Sequence, residues 1–332
     1  MKIIKRDKLK DLLNSFAKNA QTLAPVKEND TIKFLPWKGQ GEIDLSQNAL
    51  LPPKDLLFPQ TEVMYRYTDG GVQGEITDVA AAAERQVIFG IRPCDVRSLT
   101  MMDDVFMTKG YEDDYYKSKR ENTILISLGC NEPQPTCFCT SMGIDMMEAD
   151  GADIVMYDLG EKLALEPKTD AGEQLLNDVD VLEDGAAEKP VAKECQLKAD
   201  AEGLAEKLAQ MFHHSYWEDL SRTCIGCGTC TYLCPTCHCF DIRRKNIGEE
   251  GFQFRCWDSC MFSEYTRMAG GHNPRPSKKE RVRNRFLHKL QYFPERYGKV
   301  ACVGCGRCVG KCPVNIDITR IIGELREVSV DE

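Results

Sequence analysis

Two short runs of cysteine dominate the sequence. The first is Cys224, Cys227, Cys230 and Cys234, closed by Pro235, and the second is Cys302, Cys305, Cys308 and Cys312, closed by Pro313. Both read C-x₂-C-x₂-C-x₃-C-P. Three thiols in a row at this spacing can wrap three corners of a tetrahedral metal cluster with one tight loop. Gly226, Gly228, Gly304 and Gly306 let that loop fold closely and aim backbone N–H groups at its sulfurs.

This spacing is the bacterial ferredoxin pattern, in which the fourth cysteine of each run ligates the other run's cluster. The crossed rule assigns Cys224, Cys227, Cys230 and Cys312 to one [4Fe–4S] cluster. Cys302, Cys305, Cys308 and Cys234 then hold the second. Zinc sites usually take two separated ligand pairs, so the doubled triplet argues for iron–sulfur. Because the runs share ligands, they must meet in space despite the long insert between them.

A further set of thiols lies earlier. Cys94 follows the apolar run 87–91, and Cys130 follows the apolar run 124–128. Both runs have strand length and composition. As parallel members of one sheet they would open on the same rim, where α/β proteins place ligands. The loop after Cys130 adds Cys137 and Cys139, completing the ligand complement of a third [4Fe–4S] cluster. The spacing follows no standard motif, so zinc or ordinary buried thiols are the alternatives.

Cys237, Cys239, Cys256 and Cys260 in the insert, with His238, could form a fourth metal site or be packed thiols that tune a neighbouring cluster. Cys195 has no companion in sequence and reads as a plain thiol. Between residues 272 and 299 the chain turns basic, with Arg275, Lys278, Lys279, Arg281, Arg283, Arg285, Lys289, Arg296 and Lys299. A docking helix for an acidic partner, charge compensation for anionic thiolate clusters, and a solvated helix face all fit that pattern. Residues 70–74 form a Gly-rich loop. There is no G-x-G-x-x-G after a strand, no P-loop and no H-E-x-x-H, hence no dedicated nucleotide site.

The elements that must position these residues divide into two domains, as 332 residues allow. Residues 1–198 read as α/β: a helix over 8–20, buried strands 87–91 and 124–128, and a strand pair near 154–157 and 162–165. An acidic stretch at 171–193 is part helix and part loop. Residues 199–332 read as a mainly helical ferredoxin-like domain binding two clusters, entered by a helix within 199–213 and carrying a long insert at about 240–299. Seventeen cysteines, an odd count, sit poorly with a disulfide scaffold. The basic start of the chain continues into an amphipathic pattern rather than a signal-peptide core. No stretch approaches the length of a membrane span, so a cytoplasmic protein is expected. The net charge of −9 argues against nucleic acid as the main partner.

The chain resembles the electron-transfer β subunit of cytoplasmic sulfhydrogenases and is similarly related to the dicluster electron-transfer subunit of anaerobic sulfite reductase. The resemblance rests on FGIRPCD at 89–95, TCFCTSMG at 136–143 and CPTCHCFD at 234–241. WDSC at 257–260 and MAGGHNPR at 268–275 add to it. Cys256 is outside the family pattern. The resemblance implies a shuttle subunit that bridges an FAD-containing, NAD(P)H-linked flavoprotein and a terminal catalytic subunit. That terminal subunit is a nickel–iron hydrogenase, a sirohaem sulfite reductase or a heterodisulfide-reductase-type assembly. Two competing readings are a reductase in its own right, with substrate at Cys94, Cys130, Cys137 and Cys139, and a zinc-bearing interaction module.

Overall fold

The computed structural model describes residues 1–68, 74–78 and 83–330. The loop expected at 70–74 therefore falls, but for Gly74, outside the described residues. Strands are β1 (Lys2–Lys5), β2 (Gln21–Glu28), β3 (Thr31–Pro36), β4 (Thr61–Thr68), β5 (Ile76–Asp78) and β6 (Gln86–Ile91). The remainder are β7 (Thr123–Leu128), β8 (Ile154–Asp158), β9 (Lys162–Pro167), β10 (Glu183–Asp184), β11 (Phe240–Ile247) and β12 (Glu250–Trp257). The chain divides into two compact units.

The first unit comprises Met1–Leu57, Ala82–Gln196 and Val303–Cys305. Its sheet runs β10-β1-β9-β8-β7-β6-β2-β3. The central strands β2, β6, β7 and β8 are parallel neighbours, and the flanking pairs are antiparallel. Every residue of β6 and β7 is buried, which is why both read as unbroken apolar runs. One face carries Val87, Phe89, Ile124 and Ile126 and packs with Leu9, Leu12, Leu13 and Phe16 of the helix Leu9–Phe16. That helix shows its apolar residues at i, i+3, i+4 and i+7, one continuous stripe. Each of its buried leucines stabilises the unit by about 1.5–3 kcal/mol. The helix Pro93–Phe106 starts with proline in its first turn, where the missing N–H costs nothing. It is joined to the helix Asp114–Glu121 by stacking of Phe106 on Tyr116 at 5.0 Å.

The second unit comprises Phe58–Ala81, Leu197–Cys302 and Gly306–Glu332. It contains the helices Leu204–Gln210, Tyr216–Thr223 and Lys278–Leu287, the last opened by a Ser277/Glu280 capping box. A π-helical segment, His288–Tyr292, continues that helix. The helices Tyr216–Thr223 and Lys278–Leu287 pack together, as do the short helices Thr229–Tyr232 and Arg307–Gly310, which carry Cys230 and Cys308. The unit is more mixed than the mainly helical domain expected, because it also holds a four-stranded antiparallel sheet, β11-β12-β4-β5. Residues of the insert form the β11–β12 hairpin, and the open edge of β12 is paired by β4. An unpaired strand edge leaves a row of N–H and C=O groups unsatisfied. The strand that satisfies it comes from early in the chain, so Phe58–Ala81 leaves the sequence-contiguous α/β domain. Among the described residues no helix is long and apolar enough to cross a membrane.

Candidate iron–sulfur sites

The loops carrying Cys224–Cys230 and Cys302–Cys308 turn through left-handed glycines, with φ of +71° at Gly226, +76° at Gly228, +61° at Gly304 and +73° at Gly306. In the second unit, Cys224, Cys227, Cys230 and Cys312 line one cleft, together with Cys308. The second run thus brings its last two cysteines, Cys308 and Cys312, to the first run's triplet. Ile225, Met261, Val282, Phe286 and Ile318 make the rest of the cleft largely apolar. Backbone N–H groups already point at sulfur: Gly226 N donates to Cys224 Sγ at 3.3 Å and Ile316 N to Cys312 Sγ at 3.2 Å.

Around Cys234 the surroundings are cationic. Lys289 Nζ donates to Cys234 Sγ at 3.2 Å, and the thiol is held well below its usual range, first by a hydrogen bond with Cys237 and also by Lys289. Cys302 is among the groups that in turn raise Lys289. Cys305 sits in the short stretch Val303–Cys305 that belongs to the first unit, a placement the sequence spacing did not announce.

In the first unit, β6 and β7 pair in parallel, and their carboxyl ends carry Cys94 and Cys130. Cys94, Cys130, Cys137 and Cys139 all line one small pocket, with Cys305 as a fifth thiol. Arg92 fastens the rim by donating from Nη1 to the Gly129 carbonyl at 3.2 Å and from Nη2 to the Leu45 carbonyl. Burial raises all three loop thiols, Cys137 to about 12. Gly304 explains how the late segment enters this wall. A Cβ there would lie 2.6 Å from the backbone of Cys139 and Phe138, and the Phe138 N–H donates to the Gly304 carbonyl at 2.8 Å. Cys195, solitary in sequence, has a companion in space: it is buried with its Sγ 3.7 Å from Cys139 Sγ. No spacing rule could have found that neighbour.

The insert thiols separate into two groups. Cys260 hydrogen-bonds Cys239, which with burial pushes its thiol far up, and Tyr265 also hydrogen-bonds Cys239. Cys256 stands apart on β12, opposite Asp241, with Arg243 and Asp258 as its other charged neighbours. His238 faces His288, with ring centroids 5.4 Å apart.

Among the described residues no group of three or more His, Cys, Asp or Glu stands ready to hold a metal ion. The structure offers thiol-walled cavities instead, and the test of fit is an orphaned donor. Arg285 lines the cleft of Cys224, Cys227, Cys230 and Cys312, and its Nη1 is buried with no hydrogen-bond partner among the described residues. A buried donor left unmade is costly, and an anionic cluster carries the sulfur acceptors that would satisfy it. Soft thiolate donors suit iron–sulfur clusters.

Residues 223–316 match the 4Fe-4S dicluster domain family. The chain holds a dicluster domain. Over 329 residues it is also 29% identical to sulfhydrogenase 2 subunit beta of Pyrococcus furiosus, with 96% of each chain covered. The resemblance read from the motifs to sulfhydrogenase β subunits is thereby borne out along nearly the whole length. No solved structure matches the chain. The matched domain supports two [4Fe–4S] clusters and an iron–sulfur electron-transfer subunit.

Proposed function

We propose that this chain is the electron-relay subunit of a cytoplasmic oxidoreductase complex and makes no bonds of its own. It would take electrons from an FAD-containing, NAD(P)H-linked flavoprotein and deliver them to a hydrogenase, a sulfite reductase or a heterodisulfide-reductase-type subunit. The observation that carries the reading is the cleft where Cys312 joins Cys224, Cys227 and Cys230. The relative's name, a sulfhydrogenase β subunit, supports a place beside a catalytic subunit.

Cys224, Cys227, Cys230 and Cys312 would hold one [4Fe–4S] cluster, and Cys302, Cys305, Cys308 and Cys234 the second. Cys94, Cys130, Cys137 and Cys139 would hold a third. Bound there, such clusters supply reversible one-electron couples whose potentials follow charge, hydrogen bonding and burial. The chain's own residues orient the thiols, back the cleft with buried Val282 and Phe286, and direct N–H groups at sulfur.

The test is anaerobic purification with iron and acid-labile sulfide analysis, followed by Cys→Ser replacement. Wild-type protein should carry about twelve irons for three cubanes. Cys312→Ser should lose one cubane's share, and Cys305→Ser should abolish relay while leaving partner binding intact. Colourless, iron-free protein ends the proposal. Wild-type relay by Cys305→Ser ends the assignment of that ligand.

A further inference from the structure

The basic segment 272–299 is not evenly exposed. Lys279 reaches out to Glu218 at 3.5 Å, whereas Arg285 and Lys289 are only 5% and 3% exposed. Spaced four residues apart, the two belong to the continuous helix formed by Lys278–Leu287 and His288–Tyr292. Each meets a different cysteine of the first run. Arg285 Nε donates to Cys230 Sγ at 3.0 Å, and its Nη2 to the Cys230 carbonyl at 3.3 Å. Lys289 Nζ donates to Cys234 Sγ at 3.2 Å, to Thr236 Oγ1 at 3.0 Å and to the Ala301 carbonyl at 2.9 Å.

Burying a cation away from water is costly unless a negative partner stands beside it. A thiolate, as a cluster ligand must be, is such a partner. Under crossed ligation Cys230 and Cys234 belong to different clusters, so one helix addresses both.

We propose that Arg285 and Lys289 are positioning residues for electron transfer, each raising the reduction potential of one ferredoxin-type cluster, Arg285 through Cys230 and Lys289 through Cys234. The inference rests on the cluster ligation proposed above. Reduction adds one electron to an already anionic site and moves no proton here. A fixed positive charge at a ligand sulfur therefore favours the reduced form over the oxidised one. One helix would thus raise the potentials of both clusters, each mainly through its own buried cation.

The experiment uses the full chain purified without oxygen, with potentiometric titration followed by EPR and iron analysis of each variant. Lys289→Gln should shift the oxidised-to-reduced ratio of one cluster by about tenfold, or about 59 mV downward for a one-electron couple, and leave the other nearly unmoved. Arg285→Gln should lower the cluster bound through Cys230 by a similar amount and the other cluster by less, since Cys234 and Cys308 are also among its charged neighbours. Lys289→Arg keeps the charge and should keep the wild-type potential. If Lys289→Gln loses iron, retention of iron and potential by Lys289→Arg still assigns the role to charge, and equal loss in both variants overturns it. Full iron with unmoved potentials in both glutamine variants also overturns it. A wild-type chain short of about eight irons would instead refute the two-cluster reading itself.

Discussion

Gly304→Ala tests how the stretch Val303–Cys305 is seated in the first unit. The position has φ of +61°, a conformation that costs a residue with a side chain about 1–2 kcal/mol. The added methyl would also lie 2.6 Å from backbone atoms of Cys139 and Phe138. Backbone cannot swing aside as a side-chain tip can, so overpacking adds about 1–3 kcal/mol. Pushing the two segments apart would stretch the Phe138 N–H to Gly304 carbonyl bond of 2.8 Å, worth about 1 kcal/mol. The expected loss is about 3–6 kcal/mol. Gly298 is the control, because its φ is +71° but nothing lies within 4 Å of its would-be Cβ. Gly298→Ala should therefore cost only the backbone part, about 1–2 kcal/mol. The assay is urea unfolding of each variant followed by far-UV circular dichroism, with iron content measured on the same samples. Gly304→Ala protein that unfolds with the Gly298→Ala variant and carries full iron would refute the close approach at Cys139.

Other expectations concern the supporting structure. Arg255 pairs with Glu62 at 2.6 Å while only 1% of its side chain is exposed. Arg255→Met leaves Glu62 without that partner and should destabilise the protein by about 3–5 kcal/mol, read as a lowered urea midpoint. Asp113 caps the helix Asp114–Glu121 by accepting from Tyr116 N at 2.8 Å, so Asp113→Ala should cost about 1 kcal/mol. Leu12→Ala empties a fully buried position of the first unit's core and should cost about 2–5 kcal/mol. Burial, and then Asp103, push the Tyr116 hydroxyl well above its ordinary value of 10. The neutral phenol therefore stabilises the fold below pH 10, and stability should fall as pH climbs past 10 towards the raised folded value. Tyrosinate absorbance against pH would show one group resisting ionisation until unfolding, and Tyr116→Phe should lose that late step.

Much of the site was legible without coordinates, for a local reason. The two C-x₂-C-x₂-C-x₃-C-P runs place three cysteines within seven residues, and the glycines between them declare the turn they require. β6 and β7 were readable because burial on both faces makes them continuously apolar, and the helix Leu9–Phe16 because its apolar stripe repeats at helical period. Short-range patterns are all that such readings use.

Long-range placement was decided by the fold. Glu62 and Arg255 are 193 positions apart, and nothing near either residue signals that β4 completes the sheet of β12. Cys195 reads as solitary because its neighbour Cys139 is 56 residues away. Arg285 and Lys289 read like any other members of a basic stretch until their burial against Cys230 and Cys234 sets them apart. The chemistry proposed for this protein is thus written in cysteine spacing, which the chain carries locally. What surrounds each sulfur depends on which distant segment must come in to cover an apolar face, pair a strand edge or balance a charge.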